Sequence, residues 1–219
     1  MWELIQRGGP LMWVLLACSV AVIMVFAERL LYYHRISIDV SEFLQGLRNL
    51  LRRKNYPEAL SECAGTPGPV ARVVHTAVLH HERSRADLKE ITREAGQLEV
   101  PKLERHLYVL ATIAYAAPLI GFLGTVLGLL DSFMVVAAQS GYSTANDLAR
   151  GIYQALVATS CGLAIGIPAY VGYNYLSARV NHLLHQMERA GIEVVALITE
   201  NDPEKGIIAF QDQRHEAKA

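Results

Sequence analysis

Three stretches of this chain contain no Asp, Glu, Lys or Arg: residues 8–27, 106–130 and 151–178. A bilayer core of ~30 Å is crossed by ~20 apolar residues of helix, and all three runs meet that length. A water-soluble protein of 219 residues would rarely need three such segments. Composition points the same way. Charged residues make up 19% of the chain, against roughly 25% in an average soluble domain. The net charge of −1 leaves no basic excess to hold phosphates, which argues against a nucleic-acid partner. The lipid bilayer is the expected surrounding.

The second run continues past Asp131 through Phe133, Met134, Val135 and Val136 to Ala138. Pro101 lies just before it, at a predicted helix start. A helix from Lys102 to Ala138 would measure ~55 Å at ~1.5 Å per residue, so its first turns should stand in water. The third run extends at its other end. Beyond Arg179 the apolar residues Val180, Leu183, Leu184, Met187, Val194, Val195 and Ile198 step by threes and fours, the mark of one helix face. That helix is predicted to reach about Thr199, where Asn201, Asp202 and Pro203 end it.

Lys and Arg set the orientation. Residues 34–105 hold twelve of the twenty, and residues 179–219 hold five. Only Arg7 precedes the first span and only Arg150 separates the second from the third, while Arg29 marks the inner end of the first. The N-terminus is therefore expected outside, and the middle segment and C-terminus inside. Leu15-Leu16-Ala17-Cys18 resembles a lipoprotein cleavage box. The apolar run nevertheless continues to Phe26, beyond the 7–15 residues of a signal's apolar region. An uncleaved anchor is the preferred reading.

The inner segment reads as helical, with pieces over 40–53, 56–63 and 70–100 and a turn at Gly65-Thr66-Pro67-Gly68-Pro69. The expected fold is all-α: a polytopic membrane protein with three transmembrane helices, two of them extended into a cytoplasmic helical bundle. Its parts are an outer end with the first span (1–33), a cytoplasmic helical segment (34–105) and the second span (106–138). A short periplasmic link (139–149), the third span (150–178), a cytoplasmic helical extension (179–200) and a polar tail (201–219) follow.

Reaction chemistry is hard to find in this chain. Cys18, Cys63 and Cys161 imply no disulfide framework. His75, His80, His81, Cys63 and Glu82 fit no common zinc spacing and read as a solvated helix face. Gly121-Phe122-Leu123-Gly124-Thr125 lacks the Gly-Lys-Ser/Thr of a phosphate loop. No nucleophile–base pair is legible. The chain is read as a non-enzyme with no cofactor and no metal.

The second and third spans carry other chemistry. Gly124 and Gly128 are four apart, as are Gly162 and Gly166, and small residues at that step let helix backbones approach closely. Ordinary helix packing accounts for them. Thr125, Gln154, Thr159, Ser160 and Asp131 are the main polar residues there. A membrane Thr most often bonds back to its own helix, so pore lining is the less common alternative. Asp131 either marks the outer mouth or serves the function directly, as intramembrane ionisable residues tend to do. Counting from the middle of the third span puts Thr159 ~8 Å toward the outside. Thr159 and Gln154 thus fall at the depth of Thr125 and Asp131 and could share a wall.

At these residues the chain resembles a known family. Ala117-Pro118-Leu119-Ile120-Gly121-Phe122-Leu123-Gly124-Thr125-Val126-Leu127-Gly128, and the stretch 151–168 with Ala155-Leu156-Val157-Ala158-Thr159, look like the ExbB/TolQ/MotA proton-channel family. Three spans and a large inner segment place it closest to ExbB and TolQ. The resemblance implies a multi-pass protein of the bacterial inner membrane, N-terminus periplasmic and C-terminus cytoplasmic. It implies a homopentamer whose second and third spans line a pore. A dimer of a single-span ExbD- or TolR-like partner would sit in that pore and carry the proton on its aspartate. The proton motive force would then energise outer-membrane transport or envelope processes, with a TonB- or TolA-like coupling protein as a candidate third partner. By the same resemblance Thr125 and Thr159 match pore threonines, and Pro118 and Pro168 match span prolines. Gln154 stands where ExbB and TolQ usually have Glu. Either the partner alone carries the titratable group, or the chain belongs to a divergent branch.

Two other readings compete. A stand-alone carrier for a small solute or ion should hold its own buried carboxylate or His, and the apolar centres of the spans have none. A structural scaffold without ion flow would not need Thr and Gln at matched depth.

Overall fold

A computed structural model describes residues 10–138 and 145–200 of the chain. The predicted outer end before Pro10, the link residues 139–144 and the polar tail 201–219 lie outside the described residues. Seven helices make up the described chain: α1 (Pro10–Ile36), α2 (Val40–Arg52), α3 (Tyr56–Gly65), α4 (Pro69–Leu79), α5 (Arg85–Glu104), α6 (Leu107–Ala138) and α7 (Ala145–Glu200). Among the described residues, three helices are long and apolar enough to cross a membrane, as the charge-free runs predict. Contacts divide the chain into two compact units, residues 1–30 with 106–177 and residues 31–105 with 178–219.

The first unit is built from the apolar parts of α1, α6 and α7. Met12, Leu15, Ile113, Ala114, Ala117 and Ala169 form its buried core. Most of its large side chains point outward instead: Ile23 is 67% exposed, Leu119 68% and Phe122 63%. Such a surface would be costly in water and suits lipid or further protein.

The second unit has the pattern of a water-soluble bundle. α2 begins at Asp39, whose side chain accepts from the N–H groups of Ser41 at 2.9 Å and Glu42 at 3.2 Å, satisfying two of the donors a helix start leaves open. It buries Val40, Leu44, Leu47 and Leu51. α4 starts at Gly68, whose φ is 119° and where a Cβ would lie 2.9 Å from the Ile36 carbonyl oxygen. Only glycine fits that conformation without strain. The far half of α7 buries Val180, Leu183, Met187, Ala190, Val194, Val195 and Ile198, steps of three and four along one face. Glu99 of α5 is buried and paired, with Arg72 of α4 at 2.5 Å and Lys102 at 2.7 Å. Burial pushes the Glu99 carboxyl up, but the hydrogen bonds from Arg72 and Lys102 win and hold it below the usual carboxylate range. Burial pushes the Cys63 thiol up to about 11, with the Glu62 charge adding to it, so it behaves as an inert apolar side chain.

The structure differs from the sequence reading at two joints. The stretch 70–100 is two helices, because α4 stops at Leu79 and α5 starts afresh at Arg85. Ser84 supplies the new start, its hydroxyl accepting from the Asp87 N–H at 3.2 Å. The helix of the second span does not begin at Lys102, just after Pro101, but with the expected span itself. Pro101 lies within α5, and α6 begins at Leu107 after His106, whose φ is 65°. A proline in the last turn costs one hydrogen bond and does not stop the helix there. The left-handed step at His106 breaks the chain instead.

Candidate functional site in the paired spans

α6 and the first half of α7 meet along a seam of small residues. On α6 its positions are Ala114, Ala117, Gly121, Thr125, Gly128 and Ser132; on α7 they are Gly151, Ala155, Ala158, Gly162 and Gly166. Both sets step by threes and fours, so each occupies one helix face. The backbones come close. A Cβ at Gly162 would lie 2.6 Å from the Ala117 carbonyl oxygen and 2.9 Å from the Gly121 Cα. One at Gly166 would lie 2.6 Å from the Pro118 ring. Gly121 faces the Ala158 carbonyl and the Thr159 Cα, Gly124 faces Ala158, and Gly128 faces Ala155. In lipid, where burying apolar surface gives helices little reason to associate, this proximity supplies the van der Waals contact that holds them. Pro118 therefore packs in the seam, while Pro168 is exposed on α7.

Two hydroxyls sit in the middle of the seam. The Oγ1 atoms of Thr125 and Thr159 are hydrogen-bonded to each other across it. Thr159 also donates to the Gly121 carbonyl at 3.0 Å, and Thr125 lies 3.3 Å from the same oxygen and 3.4 Å from the Ala155 carbonyl. Both side chains are half-buried. Each hydroxyl thus combines one neighbour able to donate or accept with nearby carbonyls. Such a pair can reorient its protons without moving heavy atoms.

Gln154 and Asp131 stand apart from this pair. Gln154 precedes Thr159 by five residues and Asp131 follows Thr125 by six, which puts each ~120–140° round its helix from the threonine. Gln154 is half-buried and Asp131 is exposed. The four residues read as one wall from their depth therefore resolve into a coupled threonine pair and two side chains on other faces. Ser160 is exposed and bonds back to the Leu156 carbonyl at 2.8 Å.

Ser132 is a seam residue the sequence reading passed over. Its hydroxyl donates to the Gly128 carbonyl at 2.7 Å, and it occupies the space where a Gly151 side chain would go. Its spacing of seven from Thr125 and eleven from Gly121 was the available signal. A second group lies where α6 begins. The ring of His106 sits 3.2 Å from the Glu28 carboxylate and 3.3 Å from the guanidinium of the buried Arg29. Among the described residues, no three His, Cys, Asp or Glu side chains gather closely enough to hold a metal ion.

The chain is similar to known proteins. The profile of the MotA/TolQ/ExbB proton channel family matches residues 66–189. The biopolymer transport protein exbB1 of Vibrio cholerae is 32% identical over 193 residues, covering 85% of this chain and 83% of that one. A putative biopolymer transport protein ExbB homolog of Methanothermobacter thermautotrophicus is 24% identical over 96% of this chain and 77% of its own. The Tol-Pal system protein TolQ of Haemophilus influenzae is 43% identical, over 38% of this chain and 36% of its own.

Proposed function

The chain belongs to the MotA/TolQ/ExbB proton channel family, and from that premise we propose that it is the channel-forming subunit of an inner-membrane proton motor. It works with a single-span partner of the ExbD/TolR type, whose carboxylate carries the proton past this chain's second and third spans. Five copies surround two of the partner. The N-terminus is periplasmic, and α2–α5 with the far half of α7 are cytoplasmic. Proton flow powers transport or envelope processes at the outer membrane.

The observation that carries this reading is the hydrogen-bonded pair Thr125–Thr159, set in spans whose apolar centres hold no carboxylate of their own. A carboxylate brought into such surroundings has its charged form disfavoured, so its pKa rises toward neutrality. Hydroxyls that donate or accept equally well stabilise both of its forms and let protons exchange. Each charge crossing 100 mV releases ~2.3 kcal/mol, enough for a few protons to drive a mechanical step.

The test replaces both hydroxyls with methyls of the same volume. Thr125→Val/Thr159→Val removes both partners of the pair together, which costs little stability because neither is left buried alone. The protein, co-purified with its ExbD/TolR-type partner, should still show five-to-two stoichiometry by native mass spectrometry. Proton uptake into liposomes, followed with an entrapped pH dye, should fall at least ~10-fold, the effect of ~1.4 kcal/mol on a barrier. Gln154→Glu should be tolerated, and Gln154→Leu should impair uptake. Undiminished proton uptake by the double mutant would reduce the threonines to packing residues.

A further inference from the structure

A groove of about 670 Å³ runs between α5 and the far half of α7 within the second unit. Its apolar lining includes Val73, Val100, Leu184, Met187, Ile192 and Val195. Ile192 is 61% exposed although it belongs to the apolar lining. Gly96 leaves part of the space open, since a Cβ there would touch only the tip of Met187, at 3.8 Å. Along the α5 rim stand Arg85, Lys89 and Arg93 at four-residue steps, and Glu188 of α7 also lines the groove.

We propose that the groove is the docking site of this chain's own segment Gly206-Ile207-Ile208-Ala209-Phe210. The segment is a short apolar island in an otherwise polar stretch that follows α7. Asn201-Asp202-Pro203 favours a chain reversal directly after Glu200. The nearest α7 groove residue, Ala196, lies four residues before Glu200, ~6 Å of helix, and Ile192 lies ~12 Å back. Seven residues of extended chain span up to ~23 Å, so Ile207 reaches the groove with slack. The charges also match. Asp202 and Glu204 before the island and Asp212 after it answer the three cations on the α5 rim, and Lys205 answers Glu188. Docking would bury three large apolar side chains and cover Ile192. It holds whether or not the chain conducts protons.

The test uses the full-length protein in lipid nanodiscs, with Cys18, Cys63 and Cys161 replaced by Ala. With Ile192→Cys and Phe210→Cys introduced, mild oxidation should form a disulfide within one chain, since that bond needs Cα atoms within about 7 Å. Adding Gly96→Leu, which fills the groove, should lower the yield about tenfold, the factor set by ~1.4 kcal/mol of lost docking energy. In the protein with its native cysteines, Phe210→Asp should speed amide exchange in residues 92–100 by a similar factor. No disulfide in a chain that remains helical, a disulfide joining two copies only, a yield indifferent to Gly96→Leu, or unchanged exchange would each overturn the proposal.

Discussion

At Gly162 a single hydrogen atom in place of a side chain decides whether two helices can touch. Its missing Cβ would collide with backbone, the Ala117 carbonyl oxygen and the Gly121 Cα, and backbone cannot rotate away as a side chain would. Gly46 offers the opposite case. It is exposed in the middle of α2, and a methyl group added there would meet nothing within 4 Å. The same substitution should therefore have opposite signs at the two sites. Gly162→Ala should destabilise the protein by about 1–3 kcal/mol through overpacking. Gly46→Ala should stabilise it by about 0.5–1 kcal/mol, because alanine loses less backbone entropy in a helix. Denaturation followed by circular dichroism in detergent distinguishes them. A stability loss at Gly46 equal to that at Gly162 would mean the close approach is not what matters.

At the scale of elements, Glu99 joins α5 to α4 through Arg72 and closes onto Lys102 within its own helix. Its folded-state pKa is depressed. The group therefore contributes stability that is present above its unfolded pKa and is lost as pH falls through the folded one. Glu99→Gln should cost about 1–3 kcal/mol at pH 7, the usual range for breaking hydrogen bonds to a buried charged group. The gap between wild type and variant should narrow as the pH is lowered below the ordinary glutamate value of 4.5. Thermal melts at pH 7 and near pH 4 measure it, and a gap that stays constant would deny the carboxylate its role. Helix content was legible in the sequence because charge and apolar spacing mark it directly. The two interruptions were not, for different reasons. Across residues 80–84 the apolar spacing hides the break, which rests on one cap, Ser84 with Asp87, a signal that was present and outweighed. At His106 the break uses a positive φ without glycine or asparagine, and nothing in the residue type announces it. The site was half legible. Depth along the spans brought Thr125 and Thr159 together, but depth says nothing of azimuth, and azimuth separates Gln154 and Asp131 from the pair.

For the whole molecule, the concentration of Lys and Arg in residues 34–105 and 179–219 sets an expected topology with a direct readout. Single cysteines placed between Gly141 and Thr144 should react with a membrane-impermeant maleimide added to intact cells once the outer membrane is permeabilised. His80→Cys should react only after the inner membrane is breached. Reaction of His80→Cys in intact cells would invert the orientation and place the bundle outside. The exposed apolar surface of the first unit, Leu119 and Phe122 among it, is left open by the described residues. In the proposed assembly, lipid and neighbouring copies would share its cover.

The seam between α6 and α7 also fixes what can move. Gly166 faces the Pro118 ring, Gly162 faces Gly121, Gly128 faces Ala155 and Gly151 faces Ser132. Sliding one helix by a single residue along the other would drive methyl groups into backbone at several of these places at once. The two spans therefore act as one stave, and in the proposed motor a working stroke would be a displacement of staves against each other or against the partner they enclose. Tying them covalently should then cost nothing. A Gly128→Cys/Ala155→Cys pair lies close enough for a disulfide, the Cβ positions being 3.2 Å apart, slightly inside the usual ~3.5–4.5 Å. Oxidised and reduced forms should pass protons at the same rate, whereas a stalled oxidised form would reveal shear within the stave itself.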